Sequence, residues 1–216
     1  MTLLAPSLLA ANFANLSEDI KKVEVAGAHY LHLDIMDGRF VPNISFGVPI
    51  IKSIRPLTNM VFDCHLMIKR PSKYIQIFSE IGCDIITFHL EIEENIKKNI
   101  SLVRKTGKKV GIAINPKIKI DWIFPYLEEI DQVTIMTVEA GFGGQKFIPK
   151  TLERIKAVKN YVSKKNLKLD IQADGGITLK NVKDVTKAGA NIIVAGSSIF
   201  GTDDIEKSVK KFYDKF

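Results

Sequence analysis

Two imidazoles and two carboxylates stand inside apolar segments of the sequence, where charged side chains are rare. His32 and Asp34 lie two positions apart, so an extended chain points both side chains to one side. His65 and Asp174 end two further apolar segments. A buried charge needs a partner, and one divalent cation would satisfy all of these groups at once. The residues therefore predict a metal site suited to Zn²⁺, Fe²⁺, Co²⁺ or Mn²⁺.

The two carboxylates could also move protons. Asp34 and Asp174 belong to well-separated segments and can approach a substrate from different sides. One would remove a proton from a carbon on one face, while the other delivers a proton to the opposite face. With a metal ion stabilising the enediolate between the two steps, this chemistry inverts a stereocentre.

Three glycine-containing segments predict contacts with a phosphate group. Glycine lets backbone N–H groups approach phosphate oxygens closely, and a helix N-terminus adds a favourable dipole. The segments are Gly141-Phe142-Gly143-Gly144, Gly175-Gly176 and Gly196-Ser197. The sequence has neither a Walker-type lysine loop nor a dinucleotide fingerprint, so we expect no nucleotide cofactor.

Three methionines fall at or just beyond the ends of apolar segments: Met36, Met67 and Met136. Methionine is most often core filler, and that interpretation stays open. In the functional interpretation these side chains form a polarisable, apolar cap that excludes water from the enediolate.

The elements that must position these residues recur eight times along the chain. Short, continuously apolar segments are each followed by a stretch of helical length, which is typical of parallel strands covered by helices. Strands are predicted over residues 3–8, 30–35, 60–66, 84–88, 109–114, 132–136, 169–173 and 191–195. Helices are predicted over residues 17–26, 71–81, 93–106, 150–165, 178–188 and from about 203 onward, with only a short helix between 115 and 130.

This alternation predicts an α/β protein in which residues 1–216 form a single (β/α)₈ TIM barrel. An open doubly wound sheet is the alternative. In a barrel, the carboxyl ends of the strands hold the active site, so the residues above would meet on one rim.

The composition excludes several classes of protein. The chain of 216 residues is 46% hydrophobic and 25% charged, unlike a disordered or fibrous protein. No apolar run approaches the roughly 18 residues of a membrane span, and no basic residue precedes the apolar start, which argues against a signal peptide. The net charge of +7 comes from scattered lysines, so we expect no nucleic-acid partner. Two cysteines without a disulfide or metal-binding pattern suit a reducing cytoplasm.

The chain resembles the ribulose-phosphate 3-epimerase family from end to end. The resemblance rests on six motifs in family order, which are Ala5-Pro6-Ser7, the segment His-Leu-Asp-Ile-Met-Asp-Gly-Arg-Phe-Val-Pro-Asn at 32–43, Cys64-His65-Leu66-Met67, Gly-Phe-Gly-Gly-Gln-Lys-Phe at 141–147, Asp174-Gly175-Gly176-Ile177 and Val194-Ala195-Gly196-Ser197. It implies a ribulose-phosphate-binding barrel. It also implies an isomerase that interconverts D-ribulose 5-phosphate and D-xylulose 5-phosphate in the pentose phosphate pathway.

The resemblance assigns roles to individual residues. It implies that His32, Asp34, His65 and Asp174 hold one divalent metal ion per subunit, with Asp34 and Asp174 as the acid/base pair. Ser7 would contact the sugar and assist Asp34. Residues 141–144 and 196–197 would hold the phosphate, 174–176 and His65 would line the substrate site, and Met36, Met67 and Met136 would form the cap. The family also implies a cytoplasmic homo-oligomer, either a dimer or a hexamer.

The chain departs from the family pattern at a few positions. Ala140 stands where the family usually has proline, which predicts a looser entrance to the phosphate loop. Ala173 replaces a more usual valine, and His89 matches a family position that would line the pocket.

Three other functions stay open. An epimerase for a six-carbon ketose phosphate such as D-allulose 6-phosphate would use the same chemistry in a longer pocket. Metal-assisted hydrolysis would leave the paired carboxylates and the methionine cap without a purpose. A catalytically silent barrel that only binds a sugar phosphate would have kept intact acid/base residues that it does not need.

Overall fold

The computed structural model describes residues 2–216, in which eight parallel strands form one sheet. Two strands begin and end as predicted, and the bounds of the others differ from the prediction by at most two residues. The strands are β1 (Leu3–Pro6), β2 (Tyr30–Met36), β3 (Val61–Met67), β4 (Ile85–His89), β5 (Lys109–Ile114), β6 (Gln132–Met136), β7 (Asp170–Asp174) and β8 (Ile192–Ala195).

The sheet curls into a nearly closed barrel. Hydrogen-bonded neighbours follow the order β1-β8-β7-β6-β5-β4-β3-β2. A parallel bridge between Ser7 and His32 then connects the end of β1 to β2. An open doubly wound sheet is therefore wrong for this chain, and the predicted barrel is confirmed.

Helices surround the barrel and differ from the prediction in several places. They are α1 (Leu16–Val25), α2 (Val48–Ile54), α3 (Ile75–Glu80), α4 (Ile96–Lys105), α5 (Thr151–Lys164), α6 (Val182–Ala188), α7 (Ser197–Phe200) and α8 (Ile205–Tyr213). Helices α2 and α7 were not predicted from the sequence. The helix predicted from Thr178 begins only at Val182, because Asn181 Oδ1 accepts a hydrogen bond from the Thr178 N–H and forms a turn there.

Two further segments predicted as helical contain 3₁₀ turns with proline in the first turn. The helix predicted over 71–81 is divided into a 3₁₀ turn at Pro71–Lys73 and the shorter α3. Between β5 and β6, 3₁₀ turns at Ile120–Trp122 and Phe124–Tyr126 stand in place of one short helix. Proline is tolerated in the first turn of a helix, but it lacks the N–H that a regular helix interior needs.

Apolar side chains fill the space between the strands and the helices. Every residue of β2 is buried, and the fully buried side chains include Phe62 on β3, Phe88 on β4 and Phe212 on α8. Burying one such side chain stabilises the fold by about 1.5–3 kcal/mol. None of the helices described here is long and apolar enough to span a membrane. The polar residues at the carboxyl ends of the strands are thus the exception in a well-packed core.

Candidate active site

The four predicted metal ligands meet at the carboxyl end of the barrel. His32 and Asp34 lie on β2, His65 lies on β3, and Asp174 is the last residue of β7. The strand register pairs Asp34 directly with His65. Each of these residues is buried, with both histidines at 0% exposure and Asp174 at 8%.

One side-chain atom from each of these residues could contact the same ion. The four atoms all lie within 4.8 Å of one another. His32 Nε2 is 3.3 Å from Asp34 Oδ1 and 3.6 Å from Asp174 Oδ2. His65 Nδ1 is 3.1 Å and 3.5 Å from the same two oxygens. The arrangement offers two nitrogen and two oxygen donors, which suits a divalent transition metal.

The hydrogen bonds of His32 are compatible with a metal ion at this site. His32 Nε2 is buried and has no hydrogen-bond partner among the described residues. The opposite nitrogen, Nδ1, lies 2.7 Å from Asp63 Oδ2. An ionised carboxylate only accepts hydrogen bonds, so Nδ1 carries a proton, and Nε2 is the nitrogen that faces the cluster and would give up its proton to a bound cation. Histidines that bind metals usually have such an outer partner.

The outer partner of His32 is itself fixed by a layer of buried amides. Asp63 Oδ2 accepts a hydrogen bond of 2.5 Å from Gln172 Nε2, and Oδ1 accepts one of 3.1 Å from Gln132 Nε2. Asp63, Gln132 and Gln172 were not among the predicted site residues. Asp63 and Gln172 stand two positions before His65 and Asp174, so the two-residue period of a strand places them on the same side, one layer deeper.

The charges in this cluster act on one another. Burial raises the pKa of Asp34, but His32 and His65 outweigh burial and hold the pKa of that carboxyl well below its usual range. Burial lowers the pKa of His32, but Asp34 and Asp63 outweigh it and raise that pKa well above its ordinary value. Burial likewise raises the pKa of Asp63, but His32, Gln172 and Gln132 together hold it below its ordinary value. Asp34 and Asp63 are therefore ionised, as a cation-binding site requires.

Two serines hold Asp34 in place. Ser7 Oγ donates a hydrogen bond of 2.6 Å to Asp34 Oδ2, which leaves Oδ1 facing the cluster. Ser45 Oγ donates to the Asp34 backbone carbonyl at 2.5 Å and accepts from the Met36 N–H at 3.0 Å. Ser7 was among the predicted residues, whereas Ser45 was missed because it lies in the loop after β2.

His89 does not line the pocket as predicted. It is fully buried on β4, behind His65, and the Nε2 atoms of the two rings lie 2.9 Å apart. It lies outside the cavity because β4 is one strand farther around the barrel than β3, so that His65 stands between His89 and the cluster.

The other predicted site residues surround one open cavity. They come from the strand ends and the loops after β1, β2, β3, β6, β7 and β8. They are Ser7, Asp34, Met36, Met67, Met136, Gly141, Phe142, Gly143, Gly144, Asp174, Gly175, Gly176, Gly196 and Ser197. The two histidines of the cluster lie behind this wall, so Asp34 and Asp174 are the cluster members that reach the cavity.

The glycine side of the cavity presents backbone groups. In residues 2–216, the N–H groups of Gly144, Gly176 and Ser197 donate to no backbone carbonyl. Gly176 has a φ of +62°, and a Cβ there would lie 2.5 Å from the Phe147 backbone nitrogen. Only glycine therefore allows this close approach between the loops after β6 and β7.

The loop entrance at Ala140 is held by a hydrogen bond. The Ala140 N–H donates to Asn115 Oδ1 at 3.0 Å. Proline at this position could not make that bond, because it has no N–H. The structure thus shows a hydrogen bond that holds the loop at the position where the sequence predicts a looser loop.

Comparison with known proteins decides the family. The model of the ribulose-phosphate 3-epimerase family matches residues 3–200. The chain belongs to this family. A ribulose-phosphate 3-epimerase from Bacillus subtilis (strain 168) is 42% identical over 212 residues, which cover 98% of both chains. The enzyme of the same name from Escherichia coli (strain K12) is 36% identical over 208 residues, covering 96% of this chain and 92% of the relative. The expected epimerase family is therefore confirmed.

Solved structures of other enzymes share the fold. The 3-hexulose-6-phosphate synthase from Salmonella typhimurium matches with a TM-score of 0.71 and 21% identity, covering 100% of this chain and 98% of the other. This similarity concerns the barrel alone. The epimerase family and the buried ligand cluster, rather than the fold, carry the functional argument.

Proposed function

We propose that this chain catalyses the reversible interconversion of D-ribulose 5-phosphate and D-xylulose 5-phosphate by inverting carbon 3. The observation that carries the proposal is the pair of carboxylates, Asp34 and Asp174, that reach one cavity from β2 and β7. Those strands are three positions apart around the barrel, which places a carboxylate on two sides of a bound sugar. Membership of the epimerase family supports the same reaction.

Proton transfer at carbon 3 is the task of the two carboxylates. Asp34 is held ionised by His32 and His65, and ionised carboxylate is the form that a general base needs. In one direction, ionised Asp34 takes the proton from one face of carbon 3 and becomes a carboxylic acid, while Asp174 in its acid form gives its proton to the opposite face of the enediolate and becomes a carboxylate. The reverse reaction exchanges these roles. Ser7 holds Asp34 through a hydrogen bond and stands in the cavity wall, where it would also contact the sugar.

One divalent cation per subunit would be held by His32 Nε2, Asp34 Oδ1, His65 Nδ1 and Asp174 Oδ2. When bound, such a cation supplies positive charge that stabilises the negative oxygens of an enediolate. Zn²⁺, Fe²⁺, Mn²⁺ and Co²⁺ all accept a mixed nitrogen and oxygen donor set. The ionised state of Asp34, and a His32 Nε2 that has no hydrogen-bond partner among the described residues, support this role.

The methionines would close the site against water. Met36 and Met67 are neighbours in the register of β2 and β3, and Met136 pairs with Asp174 across β6 and β7. Each is at most 4% exposed and lines the cavity. A polarisable apolar surface beside the carboxylates would exclude water and limit side reactions of the enediolate.

The glycine loops would anchor the phosphate. Residues 141–144, 175–176 and 196–197 lie on the cavity wall, with N–H groups that have no backbone partner among the described residues. Phosphate sites in barrels of this type commonly use the loops after β7 and β8 together with a short extra helix, and α7 occupies that place. His65 lies behind the cavity wall, so it would contribute to substrate binding by holding the metal ion.

The proposal extends to the setting of the enzyme. The reaction belongs to the pentose phosphate pathway, and we propose a cytoplasmic homo-oligomer, either dimer or hexamer. Cys64 and Cys83 are both free and buried, which supports a reducing compartment. Helix α8 contacts both α1 and β1, which supports one barrel domain over the whole chain.

A substrate comparison tests the function. Metal-loaded enzyme is incubated with D-ribulose 5-phosphate or with D-allulose 6-phosphate, and epimer formation and free phosphate are measured in parallel. We expect D-xylulose 5-phosphate as the main product, without phosphate release. A preference for the six-carbon substrate would replace the assignment by the longer-chain epimerase, and phosphate release would indicate hydrolysis. Tight binding without any turnover would indicate a silent barrel.

A further inference from the structure

A line of buried polar groups runs from His65 away from the cavity. His65 Nε2 lies 2.9 Å from His89 Nε2, and the two rings stack with an interplanar angle of 20°. His89 Nδ1 lies 3.0 Å from Glu91 Oε1. Neither His89 nor Glu91 lines the cavity, so the proton transfers proposed above leave them without a role.

The position of the protons along this line is set at Glu91. Its Oε1 atom also accepts hydrogen bonds from Asn115 Nδ2 at 2.5 Å and from the Asn115 N–H at 3.3 Å. A carboxylate oxygen cannot donate, so His89 must carry a proton on Nδ1. The neutral His89 ring then presents a bare Nε2, which accepts a hydrogen bond from His65 Nε2–H.

The consequence appears at the other side of the His65 ring. His65 Nδ1, on that side, lies 3.1 Å from Asp34 Oδ1 and 3.5 Å from Asp174 Oδ2, so it donates to a carboxylate when no cation is bound. Because His89 keeps a proton on His65 Nε2, the His65 ring becomes neutral when a cation displaces the Nδ1 proton. Metal ions bind only the unprotonated nitrogen of histidine. We infer that His89 and Glu91 are positioning residues that fix the tautomer of His65 and so keep Nδ1 available to a divalent cation. This inference rests on the proposed metal site.

The anchor of the line is rigidly held. Asn115, which donates to Glu91, also accepts the Ala140 N–H through Oδ1 and accepts from Arg154 through its backbone carbonyl, at 3.0 Å in each case. These contacts keep Glu91 in one place relative to His89. His32 is oriented by Asp63 directly, whereas His65 is oriented by a carboxylate acting through a second imidazole.

Substitutions at Glu91 test the inference through metal affinity. Glu91→Met removes the acceptor but keeps a side chain of similar length, and Glu91→Gln keeps an oxygen that can accept from His89. Co²⁺ affinity is measured by visible absorption in competition with a chelator. We expect Glu91→Met to weaken Co²⁺ binding by about 10–100-fold, as outer-partner substitutions do, and Glu91→Gln to stay within about threefold of wild type.

Glu94→Met is the matched control. Glu94 lies on the same loop and accepts hydrogen bonds from Ser72 and Asn99 rather than from His89. Its loss should lower thermal stability and leave Co²⁺ affinity unchanged. Equal Co²⁺ affinity of wild type and Glu91→Met would overturn the positioning role, while a wild type that takes up no Co²⁺ would contradict the proposed metal site itself.

Nitrogen NMR of the wild type gives an independent test that needs no substitution. The chain has four histidines, so ¹⁵N-histidine labelling yields few signals. We expect His89 to carry its proton on Nδ1 in both the metal-free and the Zn²⁺-loaded protein. With Zn²⁺ bound, His65 should be protonated on Nε2. A proton on His89 Nε2 and a bare Nδ1 would overturn the inference.

Discussion

The two ends of the cavity are built on different principles. At the acidic end, the proposed catalytic groups are side chains on strands, and Asp34, His65 and Asp174 are each held by several hydrogen bonds or ionic contacts. At the glycine end, loops present backbone N–H groups, and side chains are largely absent. In the proposed mechanism, the chemistry would therefore depend on residue identity at the first end, whereas binding would depend on how closely the backbone can approach the phosphate at the second.

This contrast predicts separate kinetic effects for the two ends. Substitutions at the acidic end should lower kcat, because they remove groups that act on the transition state. Substitutions at the glycine end should mainly raise KM, because phosphate binding contributes equally to the ground and transition states. Each prediction below tests that separation, beginning with the largest expected effect.

Removing the metal should abolish turnover at the acidic end. A chelator leaves His32, His65 and the two carboxylates without their common partner, so we expect activity to fall to background and to return on adding a divalent transition metal. Bound metal should also stabilise the fold, by about 2.7 kcal/mol at a hundredfold excess over Kd. Melting curves with and without metal check this. Full activity after verified metal removal would contradict the site.

Asp174→Asn should lower kcat by about 10²–10⁴-fold, because an amide cannot exchange a proton with carbon 3. KM for D-ribulose 5-phosphate should change far less. Asp170→Asn is the control on the same strand, since Asp170 lies at the opposite end of β7 and accepts a hydrogen bond from Asn191. Steady-state kinetics of both variants give kcat and KM. A change in KM alone for Asp174→Asn would contradict the account.

Gly176→Ala should raise KM for the sugar phosphate by about tenfold, which corresponds to about 1.4 kcal/mol of binding. The new Cβ would lie 2.5 Å from the Phe147 backbone nitrogen, and the alanine would have to keep a φ of +62°, which side chains with a Cβ rarely adopt. Gly47→Ala is the control, since no atom lies within 4 Å of its added Cβ. A fall in kcat with unchanged KM would show that the two ends are not separable.

Met67→Leu should have the smallest effect. The exchange keeps volume and apolarity, so the free energy of unfolding should change by less than about 1.5 kcal/mol, and kcat should fall only slightly. Met67→Gln keeps the length of the side chain but places a polar amide beside the carboxylates. Because the methionines are proposed to exclude water, the glutamine variant should show a larger fall in kcat than the leucine variant in the same assay.

The sequence predicted the acidic end well, for a physical reason. A histidine or an aspartate in a continuously apolar strand is costly unless it has a task, so His32, Asp34 and Asp174 were conspicuous. Asp63 stands in β3 two residues before His65 and is equally costly to bury, so it could have been predicted for the same reason.

Other contacts could not be predicted from local patterns. Glu91 and Asn115 are brought together by loops after β4 and β5, and neither lies in a periodic segment. The role of Ala140 likewise depends on a partner that is distant in the sequence. Strand periodicity predicts which way a side chain points, whereas a loop contact depends on the conformation of both loops.

Hydrogen exchange at carbon 3 tests the central claim most directly. D-Ribulose 5-phosphate is converted in D₂O by the metal-loaded wild type and by Asp174→Asn. Proton NMR follows the formation of product and the signal of the hydrogen on carbon 3. The two-carboxylate account predicts that D-xylulose 5-phosphate carries deuterium at carbon 3, and that Asp174→Asn loses the inversion. Product that keeps its original hydrogen at carbon 3, or inversion at full rate in Asp174→Asn, would contradict it.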